Sequence, residues 1–301
     1  MRVAYFLLVL SLVVGPTPTA AAQRSFTGSS LDDFETFNGD GFAPAPAAGQ
    51  LDSDEWSLGR FTDAPNTCAF GATCGSAAVR NDFSRGPSAV AVATPGVYAF
   101  RTTSVILGLQ PAAGDFDPGV LQLRLTNATG TAIRSLDVGF SFWYRNDQAR
   151  TTSWSTFIDP GTGSLIASAS LSNATPGAVD ASGWVRVPLR ATVDLSASPI
   201  AVGAVFLLRF QSVTTAGGGG ARDEIGIDDL RIVVSPCGNA IVDPGEACDD
   251  GALNGSTFCG CQTTCQLAPA GTVCSIAAGA CDVADVCDAT GTCSARVRPV
   301  G

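Results

Sequence analysis

The chain of 301 residues contains no histidine and no lysine, so all 17 of its basic residues are arginine. These absences exclude imidazole general bases, Ser-His-Asp and Cys-His arrangements, HExxH zinc sites, and P-loop or Schiff-base lysine chemistry. Catalysis would have to rest on carboxylates, tyrosine, serine or an oxygen-bound metal. Positive charge is also scarce, and the formal net charge is -10 at pH 7. This balance argues against nucleic acid as a partner and suits binding of divalent cations.

A long hydrophobic run is missing too, because a membrane-spanning helix needs ~20 consecutive apolar residues. The most apolar stretch, residues 3–14, follows Arg2 and precedes the small residues 20–22. A charged start, a short apolar run and an Ala-x-Ala site are typical of a secretory signal peptide. We therefore expect residues 1–22 to be removed, which leaves a secreted or cell-surface chain that begins at Gln23 and has no transmembrane segment.

Cysteine is rare in the first 235 residues and dense after them. Cys68 and Cys74 bracket a short loop and are expected to form a local disulfide in an exported protein. The other nine follow in the C-terminal region: Cys237, Cys248, Cys259, Cys261, Cys265, Cys274, Cys281, Cys287 and Cys293. Small domains of this kind are stapled by disulfides because their apolar core is too small. We expect a loop-rich module over residues 236–301, with a connectivity that spacing cannot give.

The odd number of cysteines in this module needs an explanation. With Cys68 paired to Cys74, one of the remaining thiols is free, intermolecular, or separated from a partner beyond Gly301. A truncated module is therefore one expectation.

The body of the chain, residues 23–235, shows the period-two alternation of β-strands and no sustained helical period. The strongest candidate covers residues 136–144, where Leu136, Val138, Phe140, Phe142 and Tyr144 share one face. Further strands are expected at residues 120–125, 184–193, 202–210 and 225–234. Clusters of glycine, proline, asparagine and aspartate separate them. About 210 residues with this pattern predict an all-β chain, a jelly-roll-like β-sandwich followed by the small cysteine-rich module.

Two segments of the sandwich are candidate sites. In the first, a structural calcium ion could use Asp223, Glu224 or Asp228, because buried acids are costly unless paired or bound to metal. As a strand, this segment would place Asp229 on one face with the isoleucines, and Leu230 on the other face with Glu224 and Asp228. The alternative is that these acids are solvated or paired with arginine.

The second segment follows the strongest strand and combines polar groups with nearby aromatics. It is a candidate for ligand contact, and the alternative is an ordinary turn. Its residues are Tyr144, Arg145, Asn146 and Asp147. A third group, Asp52, Asp54 and Glu55, is the acid cluster near an aromatic that a carboxylate-dependent glycoside hydrolase would need.

Several segments of the first 235 residues carry a family resemblance. They are residues 34–37, 51–56, 96–100, 107–111, 145–148 and 222–230. Together they resemble β-sandwich modules of secreted bacterial proteins, which are often joined to lamin-tail, extracellular nuclease or sorting segments. The closing Ile227-Asp228-Asp229 segment is also similar to the end of MAM and other jelly-roll adhesion domains. The resemblance implies a jelly-roll fold and brings no catalytic motif.

The C-terminal block carries a more specific pattern. It is made of Cys237-Gly238-Asn239, Pro244-Gly245-Glu246, Cys248-Asp249, Thr264-Cys265-Gln266-Leu267, residues 270–274 and residues 281–287. This pattern resembles the cysteine-rich repeat of myxobacterial and related surface proteins. That repeat is itself similar to the disintegrin-like domain of ADAM-type and snake-venom metalloproteinases.

The disintegrin-like resemblance implies a calcium site in the first turn of the module. Its side-chain ligands would be Asn239, Asp243, Glu246 and Asp249, with a carbonyl from Ile241. The residue types also favour calcium independently of the resemblance, because calcium takes six to eight hard oxygens from a flexible loop. The alternative is a solvated acidic turn. The segment between Cys274 and Cys281 contains no Arg-Gly-Asp, so the resemblance does not imply integrin binding.

Three functional classes remain open after these observations. The first is a non-enzymatic binding or adhesion protein with a calcium-stabilised module, whose partner is an extracellular protein or glycan. The second is a carbohydrate-binding, lectin-like sandwich, which requires surface aromatics along a groove. The third and least favoured is the hydrolase, which requires two carboxyl groups that face one cleft at roughly 5–9 Å.

Overall fold

The computed structural model describes residues 23–63, 65–180, 183–217, 219–235, 242, 246–277 and 283–294. The predicted signal peptide, residues 1–22, lies outside this set, as do Cys237 and Cys281. Across the described ranges, no helix has the length and apolarity that crossing a bilayer would require.

Two β-sheets make up the body of the molecule. Sheet 1 has the central order β13-β12-β16-β10-β5-β6, with β1 added beside β10 and β14 beside β12. Its strands are β1 (Arg24–Phe26), β5 (Trp56–Gly59), β6 (Thr67–Cys68), β10 (Gly119–Asn127), β12 (Thr151–Asp159), β13 (Ile166–Ala167), β14 (Asn173–Ala174) and β16 (Val205–Ala216).

Sheet 2 has the order β15-β11-β17-β9-β8-β7, and β2 is added beside β17. Its strands are β2 (Ser29–Asp32), β7 (Gly86–Ser88), β8 (Gly96–Arg101), β9 (Val105–Gln110), β11 (Ser135–Arg145), β15 (Trp184–Asp194) and β17 (Glu224–Val234). A short parallel pair, β3 (Phe42–Ala43) with β4 (Leu51–Asp52), completes this part of the chain.

The long strands alternate between the sheets as the chain proceeds. β9, β11 and β17 belong to sheet 2, whereas β10, β12 and β16 belong to sheet 1. Successive crossings of this kind are typical of jelly-roll sandwiches, in which two antiparallel sheets share one core. The all-β, jelly-roll-like prediction is confirmed.

The core lies between the two sheets and is rich in aromatic rings. Trp154 of sheet 1 lies 5.5 Å, between ring centroids, from Phe142 of sheet 2 and 5.5 Å from Phe210 of sheet 1. All three side chains are fully buried. Each large apolar side chain removed from water contributes roughly 1.5–3 kcal/mol, so contacts of this kind hold the sheets together.

The alternation predicted for residues 136–144 is borne out, since this face of β11 packs into the core. The alternation predicted for β17 is wrong beyond Ile227. Asp228 pairs with Ser141 and Arg231 with Gly139, so β17 carries one extra residue at this point. Asp229 occupies that β-bulge with φ of 51°, and the next residue, Leu230, turns into the core. Asp229 therefore does not share the face of the isoleucines.

The cysteine-rich part contains little regular structure. A three-stranded sheet is formed by β18 (Val273–Ser275), β19 (Asp285–Cys287) and β20 (Cys293–Ser294). One turn of 3-10 helix covers Gly251–Leu253, and another, Ala169–Leu171, lies in the sandwich. Four disulfides are described: Cys68–Cys74, Cys248–Cys261, Cys259–Cys287 and Cys274–Cys293. Cys265 is disulfide-bonded as well. The Cys68–Cys74 prediction is confirmed.

Candidate functional sites

The acidic turn of the module is described in part. Asn239, Ile241 and Asp243 lie outside the described residues. Glu246 and Asp249 are described, and their carboxylate oxygens lie within 4.8 Å of each other and of Cys265 Sγ. That sulfur is in a disulfide and offers no thiolate. The donor set is therefore two carboxylates, which is the chemistry of a hard cation such as calcium.

Local contacts orient this turn. Asp249 Oδ1 accepts hydrogen bonds from Gly251 N at 2.8 Å and from Asn254 Nδ2 at 3.0 Å. The disulfide between Cys248 and Cys261 fixes the chain immediately before Asp249. The carboxylates are thus held close together by a cross-linked loop, and the calcium assignment of this turn stays a prediction.

In the sandwich, the two candidate segments named from the sequence come together at one end of sheet 2. The ladder between β11 and β17 ends with Arg145 opposite Glu224. Asn146 directly follows β11 and Asp223 directly precedes β17, and both are wholly buried. Gln148 N donates to Asp223 Oδ1 at 2.9 Å, so the turn after β11 wraps the Asp223 carboxylate.

Asn146 binds the neighbouring loop through its amide. Its Nδ2 donates to Ala178 O at 2.6 Å and to Asp180 Oδ2 at 3.2 Å. Burial raises the pKa of Asp223, and the Thr175 hydroxyl and the Gln148 N–H oppose this increase. Burial also raises the pKa of Tyr144, and the negative charges of Asp180 and Asp223 add to that effect. These groups therefore share one electrostatic environment.

Glu224 and Asp228 lie on the other face of sheet 2 and make different contacts. Glu224 Oε1 accepts a hydrogen bond from Val92 N at 2.6 Å. Burial raises the pKa of Glu224 to about 7. Asp228 accepts from Ser104 Oγ at 2.5 Å and from Asp229 N at 2.8 Å, so both of its oxygens are engaged. Four residues of strand span about 13 Å, so Asp228 stands apart from Glu224.

Arg145 and Asp147 form a loose surface pair beside this region. Arg145 Nε lies 4.0 Å from Asp147 Oδ2, and Gln148 Nε2 donates to Asp147 Oδ1 at 3.0 Å. The negative charge of Asp147 contributes to the raised pKa values of Asp223 and Glu224. As candidate ligand contacts, these two residues lie at the rim of the buried Asn146–Asp223 pair.

The acid cluster near Trp56 is engaged in structural contacts. Glu55 accepts a hydrogen bond from Arg24 Nε at 2.8 Å, and Asp52 Oδ1 accepts one from Asp54 N at 2.8 Å. Burial raises the pKa of Asp52, while the Asp54 N–H lowers it. These contacts describe a closed turn with an ion pair, and they do not place two carboxyl groups across a cleft.

One surface feature was not found from the sequence. A cavity of about 460 Å³ opens on sheet 1 and is lined by Phe70, Arg124, Asp159 and the backbone near Gly161. The guanidinium of Arg124 lies over the Phe70 ring, 4.3 Å from its centroid, and donates from Nη2 to Asp54 O at 2.6 Å. We call this feature the Phe70–Arg124 cleft. The only sequence signal is that Phe70 lies inside the loop closed by Cys68 and Cys74.

No family model matches the chain. Disintegrin and metalloproteinase domain-containing protein B of Aspergillus fumigatus is 30% identical over 149 residues, which cover 40% of this chain and 18% of that protein. The chain therefore spans less than a fifth of that relative's length. This partial similarity and the disulfide-rich C-terminal region agree with the coarse resemblance described above.

Solved β-rich structures are similar only in outline. The K3 cleaved adhesin domain of Lys-gingipain from Porphyromonas gingivalis has 12% identity and a TM-score of 0.32, and the match covers 68% of this chain and 98% of that chain. A carbohydrate-binding module specific for non-crystalline cellulose has 12% identity and a TM-score of 0.32, with 46% and 80% covered.

Proposed function

We propose that this chain is an extracellular, non-enzymatic binding protein, in which a jelly-roll-like β-sandwich accompanies a disulfide-stapled module that takes up calcium. The observation that carries the calcium assignment is the approach of Glu246 and Asp249 within 4.8 Å on the turn fixed by the Cys248–Cys261 disulfide. Two carboxylates this close provide hard oxygen ligands of the kind that calcium coordinates. The module would extend over residues 236–301 and the sandwich over residues 23–235.

An extracellular location is supported by the cysteines. All nine described cysteines are in disulfides, and structural disulfides persist mainly in oxidising compartments. The amino-terminal signal pattern of residues 1–22 points to the same compartment.

Calcium uptake by the module is tested by thermal unfolding of the oxidised mature chain in calcium and in chelator. The double variant E246A/D249A should lose the calcium-dependent rise in Tm that the parent shows for the module. The exposed neighbour Asp250 provides a matched control, because D250N removes a carboxylate charge from the same turn without removing a proposed ligand. A double variant that responds to calcium like the parent would show that the site is misassigned.

Carbohydrate binding is the second candidate function, and the Phe70–Arg124 cleft favours it. The cavity falls within the ~300–1,000 Å³ typical of small-ligand sites. The Arg124 guanidinium covers one face of the Phe70 ring, and Asp159 Oδ1 accepts hydrogen bonds from Gly161 N and Gly163 N. A sugar would therefore contact the other face of the ring and Asp159 Oδ2. Without a sugar ligand, the partner would be an extracellular protein.

A panel of oligosaccharides separates these two partners. If the cleft binds sugar, a panel member should raise the Tm of the sandwich, and F70A should abolish that rise. F258A is the matched control, since Phe258 is an aromatic in the cysteine-rich part that is 76% exposed. A calcium response without any sugar response would favour a protein partner, and a sugar response unchanged in F70A would place the sugar elsewhere.

A further inference from the structure

We propose that a second calcium ion binds within the sandwich, at the end of sheet 2, with Asn146 and Asp223 as its central ligands. This site is independent of the calcium site proposed at Glu246 and Asp249 of the cysteine-rich module. It selects one residue from each of the two segments that the sequence offered as separate candidates, and it leaves Glu224 and Asp228 outside the site. We call the region the Asn146–Asp223 site.

Two buried side-chain oxygens in this region lack a hydrogen-bond donor. Asn146 Oδ1 and Asp223 Oδ2 are buried and accept no hydrogen bond of good geometry, although the Thr175 hydroxyl lies near enough to Asp223 to lower its pKa. Both side chains are wholly inaccessible to solvent. Buried polar atoms are nearly always satisfied, and a buried carboxylate needs a positive charge or a proton. A cation bound between these neighbouring residues would satisfy both acceptors at once.

Hydrogen bonds hold Asn146, Asp180 and Asp223 close to one another, although they come from different parts of the chain. Asn146 is tied to Asp180 both by its side chain and by its backbone, since Asp180 N donates to Asn146 O at 3.1 Å. Asp223 is held by the Gln148 amide at 2.9 Å. Burial raises the pKa of Tyr144, and the charges of Asp180 and Asp223 raise it further. The amide and both carboxylates therefore lie in one region at the end of sheet 2.

Sheet 1 supplies further oxygens to the same region. Thr175 lowers the pKa of Asp223 through its hydroxyl, and its N–H donates to Thr152 O at 3.0 Å. Thr152 belongs to β12, is 1% exposed, and has a buried Oγ1 without a hydrogen-bond partner. Because Thr175 contacts β12 and acts on Asp223, an ion bound at Asp223 would lie close to both sheets.

The charge balance also calls for a cation. Among the described residues, no arginine forms an ion pair with Asp223, and the pair of Arg145 with Asp147 beside it is 4.0 Å long. Asp147 adds negative charge that raises the pKa of Asp223. A bound divalent ion would offset these charges and would coordinate the open oxygens at the same time.

The ligand chemistry selects calcium. The available donors are carboxylate, amide and hydroxyl oxygens, without a histidine in the chain. Zinc prefers nitrogen and sulfur, and magnesium demands near-octahedral geometry and keeps several waters. Calcium accepts an irregular set of six to eight such oxygens. Asp180 is exposed, so this edge of the proposed site lies at the surface.

Terbium luminescence with calcium competition tests the proposal on the oxidised mature chain. The E246A/D249A background is used, so that a failure of the module site and a failure of this site are distinguishable. All four tryptophans, Trp56, Trp143, Trp154 and Trp184, lie in the sandwich, so sensitised emission reports an ion bound there. We expect saturable emission that calcium displaces.

Three variants decide the outcome. D223N keeps the acceptor for Gln148 N but loses the charge, and calcium affinity should fall at least tenfold. N146D adds a charged ligand but loses the two hydrogen bonds that Asn146 Nδ2 donates, so the variant should be less stable in chelator and its Tm should rise more with calcium than that of the parent. D194N removes an exposed sandwich carboxylate and should change affinity less than twofold. The opposite responses at positions 146 and 223 keep the test decisive if one variant folds poorly.

Two results would overturn the proposal. One is the absence of saturable emission in the background variant, or emission that D223N and N146D leave unchanged. The other is a change in Tm in D223N that is equal in calcium and in chelator, since this would show that a buried water or a protonated carboxyl fills the site.

Discussion

Arg222 donates a hydrogen bond from Nε to Asp117 Oδ2 at 2.7 Å, and each side chain is only 7% exposed. Thr214 completes the arrangement by donating from its N–H to Asp117 Oδ1 at 2.7 Å and from its hydroxyl to Oδ2 at 2.6 Å. Burial alone would raise the pKa of Asp117, but the contacts with Thr214 and Arg222 outweigh it and the net pKa is lowered. This pair fixes the loop before β10 against the segment that leads into β17, where Asp223 lies.

We expect D117A to destabilise the sandwich by about 3–5 kcal/mol, because it leaves the Arg222 charge buried without this partner. The double variant D117A/R222M should cost less than D117A alone, since it removes the buried charge as well. Urea unfolding measures both. R190A is the control: its ion pair with Asp137 is long, at 3.6 Å, and Arg190 is 72% exposed, so the loss should stay below about 1 kcal/mol. A D117A variant as stable as R190A would show that the Asp117–Arg222 ion pair does not stabilise the sandwich.

The pKa of Glu224 is raised in the folded state, whereas the pKa of Asp117 is lowered, so the two residues change the stability of the sandwich with pH in opposite directions. It is wholly buried, and burial raises its pKa to about 7, with the Val92 N–H acting against burial and Asp147 acting with it. A carboxyl whose pKa is higher in the folded state holds its proton more tightly there. Its stabilising contribution is therefore complete below the unfolded pKa of ~4.3 and is lost as the pH rises toward about 7.

The variant E224Q should remove this dependence, because the amide keeps an acceptor for Val92 N and carries no charge. In chelator, we expect the parent to lose on the order of 2–3 kcal/mol relative to E224Q between pH 5 and pH 8, since one pKa unit corresponds to about 1.4 kcal/mol. Denaturant unfolding at several pH values measures the difference. Parallel pH profiles for the two proteins would show that Glu224 is already ionised in the folded state at pH 5.

The strands were predictable from the sequence where one face alternates cleanly. β10 buries Leu121, Leu123 and Leu125 and leaves the residues between them half-buried. β15 alternates exposed residues with mostly half-buried apolar ones, so period two identifies both strands. The bulge at Asp229 was not predictable, because one extra residue in a strand reverses its faces without any change in composition.

The sequence indicated which residues could belong to a site, but it did not indicate which of them lie together in the structure. Asn146 and Asp223 are 77 positions apart, and only the register of β11 with β17 makes them neighbours. The Phe70–Arg124 cleft depends on a loop that folds over a sheet, and a single phenylalanine gives no pattern. The disulfide Cys259–Cys287 likewise joins two of several equivalent thiols, and spacing alone cannot select it.

The cysteine-rich module and the sandwich should respond differently to reduction. The buried apolar cluster of the module consists of Cys259, Ala268 and Cys287, packed against Cys274, so removing the disulfides removes most of its core. Loop-closure entropy gives about 3.5 kcal/mol for a disulfide that closes 28 residues and about 2 kcal/mol for one that closes 6. The sandwich retains its own aromatic core when Cys68–Cys74 is reduced.

Mild reduction should therefore unfold residues 246–294 while the sandwich stays folded. Limited proteolysis in reducing buffer should cut the chain after residue 235 and leave a resistant fragment, and calorimetry should show that one of two transitions disappears. The variant C68S/C74S is the control, because it removes the sandwich disulfide alone and should lower only the transition that survives reduction. Loss of both transitions at the same reductant concentration would show that the sandwich and the module unfold as one unit.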